Sequence, residues 1–291
     1  MANYIILDAG HAKVTGGKRS PDSSLLEWEF NNDMQYRLKT RLEQLGFIVY
    51  LVNPNPEKGA EVSLATRCNL ANNYWVGKGK PKTCLYVSLH ANAAGSSGWS
   101  SARGVEVYAS KDCSVNSKKA AKAINDAIFN EVYAFDKGFK NRGFKQNNFY
   151  VVKHTKMPAC LIEYEFYSNK DGVKLLKNKR DVLCEATIKG ICNYFNMGYK
   201  QTAPAIRASV TTGVPSTQKP WANGTYNVNA IVTVNSLNVR QGRPGSEKYN
   251  NILGTLPRNT VIQVNYCLNG WFGITFNGKQ GFISGDYIKL A

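Results

Sequence analysis

Four side chains of this chain have the types and placement to do chemistry together: His11, Glu27, His90 and Glu163. The sequence contains only three histidines, and two of them close strand-like apolar runs. Tyr4 to Leu7 leads through Asp8-Ala9-Gly10 to His11, and Cys84 to Leu89 leads to His90 and then to the small residues Ala91-Asn92-Ala93. In an open α/β sheet, ligands gather outside the carboxyl ends of parallel strands, so both imidazoles are placed to converge there. Neutral imidazole and carboxylate suit zinc, and three protein donors leave one position for water. The pattern suggests a zinc hydrolase.

Each of these residues also has an ordinary reading. Glu27 follows Ser24 at capping-box spacing and could simply satisfy a helix start. Glu29 is the reserve donor, expected on a different helical face and solvated. Glu163 ends an apolar run, where an ionised carboxylate is costly unless paired or functional, and a salt bridge to Arg142 or Arg67 would be its structural role. Asn31, one turn beyond Glu27, could orient that carboxylate from outside the donor set or be a plain polar helix residue. His154 sits among Lys153, Thr155 and Lys156 and reads as an exposed turn, outside any metal site.

The elements that must position these groups alternate. A helix is expected from Leu25 to Leu45, with Leu26, Phe30, Met34, Leu38 and Leu42 at helical spacing and Gly46 as its stop. Phe47 to Val52 reads as a strand, Ser63 caps a helix through Trp75, and the His90 strand follows. Gly104 to Ala109 is a further strand, Ser117 to about Phe135 a helix, Phe149 to Lys153 and Ala159 to Glu163 two more strands, and Leu183 to Phe195 a closing helix. Such alternation over residues 1–198 predicts an α/β fold with a mainly parallel, twisted sheet flanked by helices.

Composition changes after that. Residues 199–228 hold Pro204, Pro215 and Pro220, much Thr, Ser and Ala, and no acidic residue, which marks a linker. Residues 229–291 break into short strands (231–234, 237–240, 252–255, 261–266, 271–276 and 280–283), and Asn269-Gly270 and Asn277-Gly278 are hairpin dipeptides. A small all-β barrel is expected. Tyr266, Trp271, Phe272 and Tyr287 could line a groove for a peptide or sugar; in so small a barrel Trp271 is expected mostly buried, and Tyr249 or Tyr287 more available.

At 291 residues the chain can bury one substantial core and carry a small second domain. No apolar run approaches the roughly 20 residues of a membrane span. The start, Met1-Ala2-Asn3-Tyr4, passes directly into a strand without signal-peptide features, so synthesis and residence in the cytoplasm are expected. Seven cysteines with no Cys-x-x-Cys pair read as reduced and mostly buried. The net charge of +17 favours encounters with polyanions, but no interleaved basic and aromatic residues point to nucleic acid. Anionic wall polymers remain as partners.

Residues 1 to about 197 resemble the zinc-dependent N-acetylmuramoyl-L-alanine amidases of amidase type 3, found in autolysins and phage endolysins. The matching pieces, in the family's order, are Ile6 to His11, Glu27 with Asn31, Arg67 with Ala71-Asn72, Ser88 to Ala93, Asn141-Arg142-Gly143, and Pro158 to Glu163 followed by Phe166, Ser168 and Asn169. Residues 229–291, through Leu237 to Arg240, Gly254, Asn269-Gly270-Trp271 and Gly281-Phe282-Ile283, resemble bacterial Src-homology-3-like wall-binding domains. Two positions depart from the amidase pattern: Ala12-Lys13 follows the first histidine, and Glu165 places a second carboxylate beside the expected base.

The resemblance implies that His11, Glu27 and His90 bind zinc and that Glu163 is the catalytic carboxylate. It implies cleavage of the amide between N-acetylmuramic acid and L-alanine in the peptidoglycan of a Gram-positive wall. Asn92 and Arg142 are the expected substrate contacts, Arg142 through a stem-peptide carboxylate. With no export signal, the simplest case is a phage endolysin released from the host cytoplasm through a separate membrane pore. The alternatives are a zinc peptidase or deacetylase on wall substrates, and a wall-binding protein without activity.

Overall fold

The computed structural model describes residues 2–54, 56, 60–95, 98–199, 221, 224–234, 236–243, 251–268 and 270–290, which fall into two compact units. In the first, six strands form one sheet: β1 (Tyr4–Ala9), β2 (Ile48–Leu51), β3 (Cys84–Asn92), β4 (Val105–Ala109), β5 (Asn141–Gln146) and β6 (Ala159–Phe166), in the order β2-β1-β3-β6-β4-β5. Every neighbouring pair is parallel except β4 with β6. The carboxyl ends of β1, β3 and β6 therefore lie side by side.

Alternation along the strands feeds two apolar layers. Ile5, Leu7, Leu85, Val87 and Ile162 pack with α1 (Glu27–Gln44), α3 (Val115–Tyr133) and α6 (Arg180–Tyr194). Ile6, Tyr86 and Leu161 pack on the other face with α2 (Leu64–Gly77) and α4 (Tyr150–His154). On α1, Phe30, Met34, Leu38 and Leu42 are all fully buried, the four-residue repeat expected of a helix facing a core. Each such side chain contributes about 1.5–3 kcal/mol by leaving water. The remaining helix, α5 (Lys170–Asn178), is capped by the Asn169 side chain, which accepts from the Asp171 and Gly172 N–H groups.

Two expectations are corrected here, and one strand that the sequence did not signal is added. Phe149 to Lys153 is not a strand: Tyr150 to His154 form α4, with the adjacent Val151 and Val152 both buried, as one helical turn allows and one strand face does not. Asn141 to Gln146 is the edge strand β5, mostly unburied and without apolar alternation. The Ser24 capping box does not form. α1 begins at Glu27 with Leu26 at its N-cap, and the entry is pinned by Glu27 N–H donating to Lys18 O at 2.9 Å and by the Arg19–Leu26 bridge.

In the second unit a seven-stranded antiparallel sheet runs β13-β7-β10-β11-β12-β8-β9, from β7 (Gly224–Val232), β8 (Ser236–Arg240), β9 (Ile252–Pro257), β10 (Val261–Leu268), β11 (Trp271–Phe276), β12 (Lys279–Ser284) and β13 (Ile288–Leu290). β7 starts inside the stretch read as linker, and Trp221 already packs edge-on to Phe272 at 5.1 Å. Residues 200–220, 222 and 223 of that linker, Asn269 and Tyr249 lie outside the described residues. Asn277 (φ 49°) and Gly278 (φ 72°) make the expected two-residue turn between β11 and β12. Phe272 is fully buried and Trp271 only half-buried.

All described cysteines are free, and all but the half-buried Cys113 are buried. No helix of the described residues is long and apolar enough to cross a membrane.

Candidate active site

The peptide at the end of β1 is held by buried side chains from three directions. Asn53 Nδ2 donates to Ala9 O (3.0 Å) and His11 O (3.1 Å), Asn31 Nδ2 to Gly10 O (3.0 Å), and Arg67 Nη1 to Ala9 O (2.7 Å). Arg67 is itself paired with Asp8 at 2.5 Å, whose other oxygen accepts from Tyr86 Oη at 2.6 Å. These bonds fix His11 at φ 64°, a left-handed conformation that a non-glycine residue adopts only when its surroundings enforce it. Gly10 is needed for space: a Cβ there would lie 2.2 Å from the His90 ring.

Glu27, on the first turn of α1, reaches both imidazoles. His90 Nδ1 is 3.0 Å from its Oε1 and His11 Nε2 is 3.4 Å from its Oε2, and the two rings stand perpendicular with centroids 5.0 Å apart. Burial pushes the Glu27 carboxyl up, but hydrogen bonds and charge from His11 and His90 outweigh it and hold the group down at about 2. The three donors lie within 4.8 Å of one another, the one such group among the described residues. Donors placed tetrahedrally at about 2.0–2.2 Å from zinc are roughly 3.3–3.6 Å apart, so a set within 4.8 Å would close up slightly around the ion.

Glu163 lines the same cavity, of about 330 Å³. It pairs in register with His90 on β3 and with Glu106 on β4. Its Oε2 is buried without a hydrogen-bond partner. Burial, then repulsion from Glu27 and Glu106, pushes its carboxyl well above the ordinary range. Neither arginine considered as its partner takes that role. Arg67 serves Asp8, and Arg142 donates through Nε to Glu106 at 2.7 Å while its guanidinium sits 4.8 Å from the centre of the Phe166 ring.

The other candidates separate. Asn92 lines the cavity, and its Nδ2 donates to Glu106 at 2.6 Å. Arg142 is outside the cavity wall. Asn31 steadies Gly10 rather than Glu27. Glu165, expected beside the base, is fully buried away from the cavity, accepting from Arg103, from Gly104 N–H at 2.7 Å and from Phe166 N–H at 2.9 Å. Glu29 forms a bidentate pair with Arg180 at 2.7 and 2.8 Å, and His154 stacks on Tyr150. Neither joins the donors.

Three acids and amides escaped the sequence reading. Glu61 stands 3.5 Å from His11 Nδ1 and accepts from Thr15 Oγ1 at 2.6 Å; it lies in a loop without periodicity and gave no signal. Asn53 follows the carboxyl end of β2, the position class that flagged the histidines, and could have been found the same way. Glu106 interrupts the apolar Val105–Val107 strand and gathers Asn92, Arg142, Lys145 and Tyr108 around it.

Fold and donors together describe a class: α/β proteins with a metal-capable set of side chains at the carboxyl ends of parallel strands. Residues 5–193 match the family described as N-acetylmuramoyl-L-alanine amidase, and residues 235–289 match the bacterial SH3 domain. The chain belongs to that amidase family. It is 31% identical over 194 residues to the N-acetylmuramoyl-L-alanine amidase LytC of Bacillus subtilis, covering 66% of this chain but 35% of that one. With the endolysin of Bacillus phage SPP1 it shares 29% identity over 210 residues, 70% of each chain. The crystal structure of N-acetylmuramoyl-L-alanine amidase from Clostridium difficile 630 superimposes with a TM-score of 0.58 at 25% identity, covering 67% of this chain and 97% of that one.

Proposed function

We propose that this chain hydrolyses the amide between N-acetylmuramic acid and L-alanine in peptidoglycan. The observation that carries the reading is the meeting of His11, Glu27 and His90 within 4.8 Å, with the unpartnered Glu163 carboxyl in the same cavity. A zinc ion held by His11, Glu27 and His90 would supply a Lewis acid for the scissile carbonyl and lower the pKa of water toward neutrality. His11 and His90 must bind as neutral imidazoles, and the ionised Glu27 between them provides the anionic donor. Glu163 takes a proton from the attacking water and returns it to the departing alanine nitrogen. Asn92 and Arg142 contact the muropeptide, Arg142 through a stem-peptide carboxylate.

The second unit binds the Gram-positive wall and keeps the first near its substrate, with anionic wall polymers as additional partners of the cationic surface. The kinship with a phage endolysin supports a phage lysis protein that acts on the wall after release from the host cytoplasm. Mass spectrometry of digested walls tests the bond. New alanine amino termini are expected; new reducing ends, free acetate or cuts within the peptide would overturn the reading.

A further inference from the structure

The loops that build the donor cavity also build a second hollow. The segment after β1 gives Lys18 to the first and Asp22 and Ser24 to the second; that after β3 gives Ala93, then Trp99; that after β6 gives Tyr167, then Lys170. Tyr167 and Lys170 are three residues apart, a stretch of chain that spans at most roughly 10 Å, so the two hollows approach each other beyond the carboxyl end of β6.

The second hollow, of about 390 Å³, has one cationic wall. Lys170, Val173, Lys174 and Lys177 of α5 recur at positions i, i+3, i+4 and i+7 and so share one helical face. Trp99 is 39% exposed, and Lys170 Nζ lies 5.7 Å from its ring centre. The acids nearby are occupied: Asp22 accepts from Ser20 Oγ at 2.6 Å and Ser24 N–H at 3.1 Å, and Asp171 pairs with Lys174 at 2.9 Å. Lys170 and Lys177 have no carboxylate partner among the described residues.

An exposed indole beside ammonium groups suits a sugar ring stacked on the aromatic face with carboxylates close by. We infer that this hollow is a subsite for the neighbouring repeat of the same polymer, a sugar bearing an acidic peptide, which seats on Trp99 and the α5 lysines while the repeat to be cut lies in the donor cavity. This rests on the proposed amidase activity. The three loops that supply both hollows and charge complementarity select that occupant over an unrelated ligand.

The test compares kcat/KM of the zinc-loaded full chain on a single disaccharide-peptide and on a defined three-repeat glycan with stem peptides. The longer substrate should be favoured about tenfold, through KM. Trp99→Ala, and Lys170→Glu with Lys174→Glu and Lys177→Glu, should remove that preference and leave the single repeat cut at the parental rate. Amidating the stem carboxylates of the long substrate should remove it too. Equal kcat/KM for both lengths in the parent would overturn the subsite, as would variants that slow both substrates alike. Variants that keep the preference and lose only affinity for poly(glycerol phosphate) would assign the wall to a different polymer. A parent that cuts neither substrate sinks the amidase reading and this inference with it; one that cuts the single repeat without preferring length sinks this inference alone.

Discussion

The carboxyl ends of β1, β3 and β6 and the C-terminal sheet obey different rules. Around the donors, the interior holds Asp8, Glu27, Asn31, Asn53, Arg67 and Glu106, a left-handed His11 and a carboxyl with an unsatisfied oxygen. In the C-terminal sheet, Ser284 is the only buried polar side chain among the described residues, and the core is Val239, Val264, Phe272, Ile274 and Ile283. One region gives up local stability to hold reactive groups in place; the other only has to fold and present a surface.

Glu163→Gln probes this contrast most strongly. Activity on a soluble muropeptide should fall about a thousandfold, the scale of a lost general base. The metal-free variant should nevertheless melt at a higher temperature at neutral pH, because an amide replaces a buried carboxyl repelled by Glu27 and Glu106. A lower melting temperature would mean that Glu163 stabilises the fold. In the C-terminal sheet, Phe272→Ala should do the reverse, costing that unit about 3–5 kcal/mol by denaturant titration and weakening wall binding, with soluble muropeptide turnover unchanged. If soluble turnover fell too, the two regions would be coupled.

Asn53→Ala sharpens the comparison at a position that touches no donor side chain. Ala9 O and His11 O each lose one donor, leaving Arg67 to hold them, and zinc affinity measured by chelator competition should drop about tenfold. An unchanged affinity would show that the remaining bonds suffice to fix His11. The smallest effect concerns acid. Glu27 is held at about 2 in the folded protein against 4.5 ordinarily, so its ionised form stabilises the metal-free fold above about pH 4.5 and that contribution is lost as pH falls through about 2. The melting-temperature difference between the metal-free parent and Glu27→Gln should shrink across that window; a constant difference would mean the two histidines do not hold the carboxylate.

Much of this was readable in the chain itself. Four-residue spacing located α1, Ser63 located the start of α2, and Asn277-Gly278 located a hairpin, since each is a local preference that packing reinforced. The histidines were legible because strand ends collect ligands. What failed was decided by neighbours distant in sequence. β5 exists because β4 offers it an edge, not because Asn141 to Gln146 alternate. The short apolar run at Phe149 to Lys153 fits helix or strand equally, and packing against α2 chose the helix. Ser24 and Glu27 had a capping box's spacing, but the bridge from Arg19 to Leu26 moved the helix start past the serine. Glu165 looked adjacent to the site only along the chain; Arg103 holds it elsewhere.

One donor is also the opening residue of a long helix. Glu27 begins α1, and Phe30, Met34 and Leu38 on the next turns are wedged into the main core. Interiors this dense transmit displacement instead of absorbing it. An ion held by Glu27 would thus share a single rigid lever with the hydrophobic layer: trimming Met34, two turns along the helix, would alter how firmly the cation is gripped, and losing the cation would loosen the far end of the helix.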